Sequence, residues 1–423
     1  MRKAILLVAA GAVALSPANL VAQGPRYLNP QDVAEAQRQH GAIVQELGGA
    51  EIGPRAAYVQ SVGQRVGAYS GIAAPGQTLH YTLLNSPVEN AMSVPGGYVY
   101  ITRQLLSLMD NEAQLAFALG HETGHIAANH AHAREAYAQR GNVFGVLGQI
   151  VGAIFGVGGL TNAISQNAEL RTLSFSREQE YQADELSLRY LTAAGYDPAG
   201  GPEILAALAR STALQARVQG RTNRQTPEWA STHPLSENRA QRALAEARAT
   251  GRFGSGIRNR DGFLAQLQGV YVDDDPAQGV IDGPLFTHPD LRIQFQVPPG
   301  YLMSNGTTAV TIKGSAGQAQ FSGGRYSGGL DNYILRVFQE LAGPRSQIPV
   351  PPPRRSVING MPVAITTAHA QTSSGVIDVS IAAFQWDAQR IYHFVMLTPG
   401  GAGLGPFTPM VYSLRRITPA ESP

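Results

Sequence analysis

Residues 118–132, ALGHETGHIAANHAH, hold four histidines and one glutamate in fifteen positions, set among alanines and leucines that favour helix. His121 and His125 are four residues apart, so on a helix they lie one above the other on a single face and both imidazoles reach one ion. Glu122 follows the first of them, where its carboxylate touches a metal-bound water without ligating the metal. H-E-x-x-H thus places two neutral nitrogen donors and a general base within one turn, a set suited to hydrolysis by metal-activated water.

A catalytic zinc takes three protein donors and keeps a fourth position open, so another donor must come from elsewhere in the chain. His132 shares the face of His125, but two helical turns separate them by about 10.5 Å, beyond coordination distance. His130 points to another face, and both are expected to cap or decorate the helix end. The better source is SREQEYQADE at 176–185, where Glu180 and Asp184 repeat the four-residue spacing. A second helix can then offer one carboxylate to the metal and the other to the free N–H of a ligand histidine, fixing its tautomer. The oxyanion of the reaction needs a donor as well. His233, just before an expected helix, and Arg239, six residues on, are the candidates; His233 can alternatively serve as a fourth ligand in a resting state.

The pairing of His121-Glu-Thr-Gly-His125 with SREQEYQAD at 176–184 resembles the zinc metallopeptidases related to HtpX and the CAAX prenyl endopeptidases, in particular their periplasmic BepA-type branch. NAMSVPGGYVY at 90–100 and HPLSENR at 233–239 match further patterns of that family, so the likeness covers about residues 30 to 250. It implies a mainly α zincin-like (gluzincin) metallopeptidase domain with a small β-sheet. It also implies one Zn2+ per chain on His121, His125 and Glu180, with Glu122 as base, Asp184 behind the ligands, and catalytic roles for His233 and Arg239. Met92 stands where relatives often carry phenylalanine, a departure at a neighbouring subsite rather than at the metal.

The elements that must hold these residues are legible from periodicity. Helices are expected over 30–47 and 55–69, over the histidine segment with Asp110 or Asn111 as its cap, over 169–194, and over 234–250 with Pro234 in the first turn. Strand-like runs at 78–84 and 97–102 frame a turn-rich piece. Gly97, Tyr98, Val99 and Tyr100 are expected to form an edge strand whose unpaired backbone binds an extended substrate. Residues 251–287 read as a linker, since they contain few apolar periods and an Asp273-Asp-Asp-Pro276 run. Beyond it, Leu291, Ile293, Phe295 and Val297 alternate with polar residues, as do Ile377, Val379 and Ile381, which points to a separate α+β domain over 288–418.

The chain has 423 residues, enough for about two or three domains with cores of their own. Residues 1–15, MRKAILLVAAGAVAL, followed by Ser16-Pro17, read as a cleavable secretory signal over 1–23. The apolar run falls short of the roughly 20 residues that cross a bilayer. Removing it takes away Arg2 and Lys3, so 32 basic residues become 30 against 30 acidic ones, and such a neutral chain has no electrostatic footprint for nucleic acid. There is no cysteine, which excludes disulfides and a lipid-bearing amino-terminal thiol. Glycines at 141, 145, 148, 152, 156 and 159 follow one helical face. A single membrane span there would put His125 and Glu180 on opposite sides of the bilayer, so 141–164 is expected as a packed helix or a mobile apolar lid that can touch membrane or client.

These readings converge on an exported, periplasmic zinc metalloendopeptidase. It would hydrolyse peptide bonds of unfolded or misassembled envelope proteins, with the outer-membrane assembly machinery as a possible partner. The alternative is a periplasmic chaperone or outer-membrane assembly factor whose zinc site is structural or regulatory.

Overall fold

The computed structural model describes residues 27–133, 175–218, 233, 237–306, 308–342, 349–372 and 375–421. The expected signal over 1–23, the glycine stripe at 141–164, the start of the helix expected from 169, and Pro234 lie outside the described residues. Among those described, no helix is long and apolar enough to cross a membrane.

The first half is built from helices around a three-stranded sheet. Its centre is α4 (Glu112–Ala127), in which every residue from Glu112 to His125 is buried; a helix buried all round belongs inside a core. α1 (Pro30–Glu46), α2 (Pro54–Gly67) and the short α3 (Arg103–Ser107) precede it. Asn111 caps α4 by accepting from the Gln114 N–H at 3.2 Å. In the first turn, where the helix dipole favours an anion, the buried Glu112 carboxylate accepts from the hydroxyls of Tyr58 and Tyr196, each at 2.6 Å.

α5 (Arg177–Ala193) opens with a capping box between Ser176 and Gln179 and runs against α4. Glycine permits the approach. A Cβ at Gly120 would lie 2.7 Å from Ser187 Oγ, and one at Gly124 would lie 3.1 Å from the Ala183 carbonyl oxygen. These glycines sit immediately before His121 and His125, so the two helices pass close to each other where the donors face each other. α6 (Gly200–Val218) and α7 (Glu237–Ala249) complete the layer behind α5.

The sheet corrects one expectation. β1 (His80–Leu84) pairs in parallel with β3 (Tyr98–Thr102), and β2 (Ala91–Val94) pairs with the other side of β3 in antiparallel sense. Tyr98, Val99 and Tyr100 therefore belong to the central, fully buried strand, and Gly97 precedes it. Their backbone is used within the sheet, so they do not form an edge; the edge beside α4 is β2.

Residues 251–287 are not a linker. α8 (Arg260–Gln266) inserts Phe263 into the core of the first half, and the buried Arg103 guanidinium donates to the Tyr271 carbonyl and to Asn85. Asn85 in turn donates to Asp275 at 2.8 Å, and Gln278 donates to the Gly48 carbonyl at 2.7 Å. One aromatic anchor and side-chain-to-backbone bonds hold this stretch, which is why apolar periodicity misses it. β4 (Val280–Asp282) and β5 (Leu285–His288) begin a sheet before the expected boundary at 288.

The second half is β-rich. β4, β5, β6 (Ile293–Gln296) and β14 (Arg415–Arg416) form a four-stranded sheet. β7 (Leu302–Asn305), β8 (Ala309–Gly314), β9 (Gly317–Arg325), β10 (Arg354–Ile358), β11 (Met361–Thr372), β12 (Gly375–Gln385) and β13 (Arg390–Pro399) form a seven-stranded antiparallel sheet in the order β10-β11-β12-β13-β9-β8-β7. One face of the large sheet packs Phe321, Phe384 and Phe394 against Ile293 and Phe295 of the small one. The other face packs Val379, Ile381 and Ala383 under Ile334, Val337 and Phe338 of α9 (Leu330–Ala342).

Two outcomes test this packing. Gly120→Val drives a side chain into Ser187 and Val66; overpacking of this kind costs about 1–3 kcal/mol, read as a lower urea midpoint, and an unchanged midpoint would refute the close approach. His393 of β13 is buried beside Tyr333 of α9 at 2.9 Å, and burial lowers its pKa to about 4. Because its folded value lies below the unfolded 6.5, the neutral form supports the fold fully above pH 6.5. That support is lost as pH falls towards 4, amounting to about 3 kcal/mol at 1.36 kcal/mol per unit. Urea melts from pH 7.5 to 4 check this, with His393→Asn expected to flatten that part of the profile.

Candidate metal centre

α4 presents His121 and His125 with their Nε2 atoms 3.0 Å apart, and α5 brings Glu180 up to both. Glu180 Oε1 lies 3.5 Å from His125 Nε2, and its Oε2 lies 3.7 Å from His121 Nε2. His233 closes the group, with Nδ1 3.0 Å from Glu180 Oε1 and 3.3 Å from His121 Nε2. Ligand atoms of all four residues fall within 4.8 Å of one another, and all four are buried.

The donor set fits a small divalent cation. Tetrahedral donors about 2.0–2.2 Å from zinc stand roughly 3.3–3.6 Å from each other, and the donor separations here, from 3.0 to 3.7 Å, bracket that range. Formal charge agrees. Glu122, Glu180 and Asp184 bring three negative charges and Arg239 one positive charge, so with neutral histidines this fully buried cluster carries two uncompensated negative charges. Burying charge unpaired is costly, and a divalent cation cancels it.

Outer contacts hold the donors in register. His121 Nδ1 lies 2.9 Å from Asp184 Oδ1; the N–H donates there and leaves the Nε2 lone pair facing the site. Arg239 of α7 grips Asp184 with two parallel bonds, Nε to Oδ2 at 2.7 Å and Nη2 to Oδ1 at 2.8 Å, while Nη1 pairs with Glu180. Burial alone would raise both carboxyls, but the Arg239 charge overcomes it and holds Glu180 well below the usual carboxylate range and Asp184 below its own. Burial pushes His125 well down, so it stays an uncharged donor at neutral pH. The guanidinium of Arg239 is therefore spent behind the ligands and is not presented to an oxyanion. Sequence spacing identified the cation but not its partners.

Glu122 lies beside this group. Ser93 of β2 donates its hydroxyl to Glu122 Oε2 at 2.9 Å, whereas Oε1 is buried, has no hydrogen-bond partner among the described residues, and lies 3.4 Å from His233 Nε2. A cavity of about 390 Å³ extends from His125 past Phe175, Ser93 and Gly96 to Asp32 and His132. Tyr98 and Tyr100 face elsewhere: both rings lie against His40, and Tyr98 stacks on His80.

Of the two histidines expected to cap or decorate the helix end, His130 departs from that expectation and His132 does not. Two residues after the end of α4, Asn129, with a φ of 58°, turns the chain through the left-handed region that asparagine tolerates. His130 folds back so that its Nδ1 meets His125 Nδ1 at 2.9 Å, inside the structure instead of decorating the helix end. His132 bonds Asp32 at 2.9 Å. The asparagine following a helical run was the available signal; the five-residue separation from His125 fits no helical face.

Comparison with known proteins places this geometry. The profile of Peptidase family M48 matches residues 54–247. The chain is 32% identical over 199 residues to the "Beta-barrel assembly-enhancing protease" of Escherichia coli K12, covering 45% of this chain and 38% of that protein. It is 32% identical over 165 residues to the "Mitochondrial metalloendopeptidase OMA1" of Arabidopsis thaliana, covering 39% and 30%. To the "Metalloprotease LoiP" of E. coli K12 it is 29% identical over 167 residues, covering 39% and 62%. The chain thus spans less than half the length of the first two. Residues 54–247, which carry the His121, His125 and Glu180 cluster, are similar to Peptidase family M48.

Proposed function

We propose that the protein is a zinc-dependent metalloendopeptidase acting on unfolded or misassembled envelope proteins, exported to the periplasm by residues 1–23. The observation that carries this reading is the convergence of His121, His125 and Glu180 beside Glu122 Oε1, a buried carboxylate oxygen without a hydrogen bond among the described residues. His121, His125 and Glu180 hold the ion, and Asp184 with Arg239 orients His121 and Glu180. When bound, zinc supplies Lewis acidity, polarising a peptide carbonyl and lowering the pKa of water to about 7.

The protein's own groups supply the rest. Glu122 Oε1 accepts the proton of the attacking water while Ser93 fixes Oε2, and the carboxylic acid so formed returns the proton to the leaving amine. His233 would hold the ion together with His121, His125 and Glu180 as a fourth donor in a resting state. An extended segment adds to β2, reading main chain more than side chain. The cavity beside His125 and Phe175 then receives a substrate side chain. Such recognition suits unfolded polypeptides with loosely defined cleavage sites. The assembly-enhancing relatives motivate the assignment of outer-membrane clients, and the β-rich half lies outside the matched segment as a candidate recruiter of them.

Casein and an unfolded β-barrel protein serve as substrates for the test. Glu122→Gln is expected to lower kcat/KM by about 10²–10⁴-fold while retaining stoichiometric zinc, and a chelator is expected to abolish cleavage until zinc is restored. Cleavage by Glu122→Gln at the wild-type rate would refute the proposed base. Equal protection of clients by mutant and wild type, with neither cutting, would establish a chaperone instead.

A further inference from the structure

The two imidazoles of the proposed centre are supported differently. His121 donates its outer N–H to a carboxylate, Asp184, whereas the outer nitrogen of His125 meets another imidazole, that of His130. His130 is 3% exposed, and its Nε2 lies 3.0 Å from Gln182 Oε1 on α5, between Glu180 and Asp184. The ring of His125 is further confined by Phe175, stacked on it at 3.8 Å between centroids.

The proton positions in this chain follow from what each atom can do. An amide oxygen only accepts, so His130 Nε2 carries the hydrogen. A neutral imidazole has one N–H, which leaves His130 Nδ1 as an acceptor. It therefore receives the Nδ1–H of His125, and the Nε2 of His125 keeps its lone pair for an ion. With the Gln182 amide turned the other way, every proton in the chain reverses and His125 Nε2 is protonated. That arrangement cannot belong to a metal ligand, so coordination and the Gln182 orientation select each other. An imidazole also suits the charge of the site. A carboxylate at position 130 would orient His125 equally well, but it would add a negative charge to a buried cluster that already has two in excess.

We propose that His130, anchored by Gln182, is a positioning residue that fixes His125 in the tautomer presenting Nε2 to a divalent cation. The inference rests on the metal site proposed above. It assigns function to the left-handed turn at Asn129, which alone allows residue 130 to return to residue 125.

The test uses the full chain as wild type, His130→Leu and His130→Asn. Asparagine places its oxygen near the former Nδ1 and still accepts from His125; leucine does not. Zinc titrated in competition with a chromophoric chelator is expected to bind roughly 10–100-fold more weakly to His130→Leu and within about threefold of wild type to His130→Asn. In metal-free protein labelled with 15N-histidine, His125 is expected to show protonated Nδ1 and unprotonated Nε2 in wild type and His130→Asn, and mixed tautomers in His130→Leu. Wild-type affinity in a folded His130→Leu, or an unprotonated His125 Nδ1 in the wild type, would overturn the inference. If His130→Leu loses cooperative melting, the asparagine variant and the wild-type tautomer decide. A wild type that binds no zinc would refute the metal reading itself, and the nitrogen-15 spectra would then judge His130 alone.

Discussion

The centre depends on a charge problem solved inside the protein. Three carboxylates, Glu122, Glu180 and Asp184, are withdrawn from water on adjoining elements, and a single guanidinium, Arg239, accompanies them. Desolvated carboxylates are tolerated only when paired or neutralised. Arg239 fixes the two on α5 and leaves a deficit that a doubly charged cation makes good. The surrounding architecture serves this arrangement. α4 supplies neutral nitrogen donors, α5 supplies oxygen, α7 supplies the cation, and β2 restrains the remaining carboxylate through Ser93.

How much of this the sequence revealed follows the range of the interactions. Helical spacing is local, so the pairing of His121 with His125 and of Glu180 with Asp184 could be read directly, as could a cap at Asp110 or Asn111 and the alternating strands of the β-rich half. Non-local pairings were not legible. Whether Tyr98–Thr102 is an edge or a centre depends on β1 and β2, which flank it in space and not in pattern. Arg239 could be recognised as a buried-site cation only by knowing that Asp184 lay opposite. His130 depended on one backbone angle at Asn129, and the stretch before Pro284 depended on Phe263 finding a core far away in sequence.

The two halves are joined by polar side chains that bind backbone. Arg103, 1% exposed, reaches the Tyr271 carbonyl, and Asn85 ties it to Asp275. Asn85 directly follows β1, so the chain leading into the β-rich half is fastened to the same small sheet whose far strand borders the metal centre. The attachment is continuous with the sheet and is reinforced by Phe263 in the core of the first half.

The glycine pair of α4 has a consequence for ion size. Because Gly120 faces Ser187 Oγ and Gly124 faces the Ala183 carbonyl with no room for a Cβ between, the two helices that carry the imidazole and carboxylate donors are held close together at these positions. A gap fixed in that way resists stretching. In the proposed centre, an ion such as calcium, whose oxygen ligands stand at about 2.3–2.6 Å and number six or more, would call for more room between the helices than two positions without a side chain leave, so that spacing would favour a smaller cation.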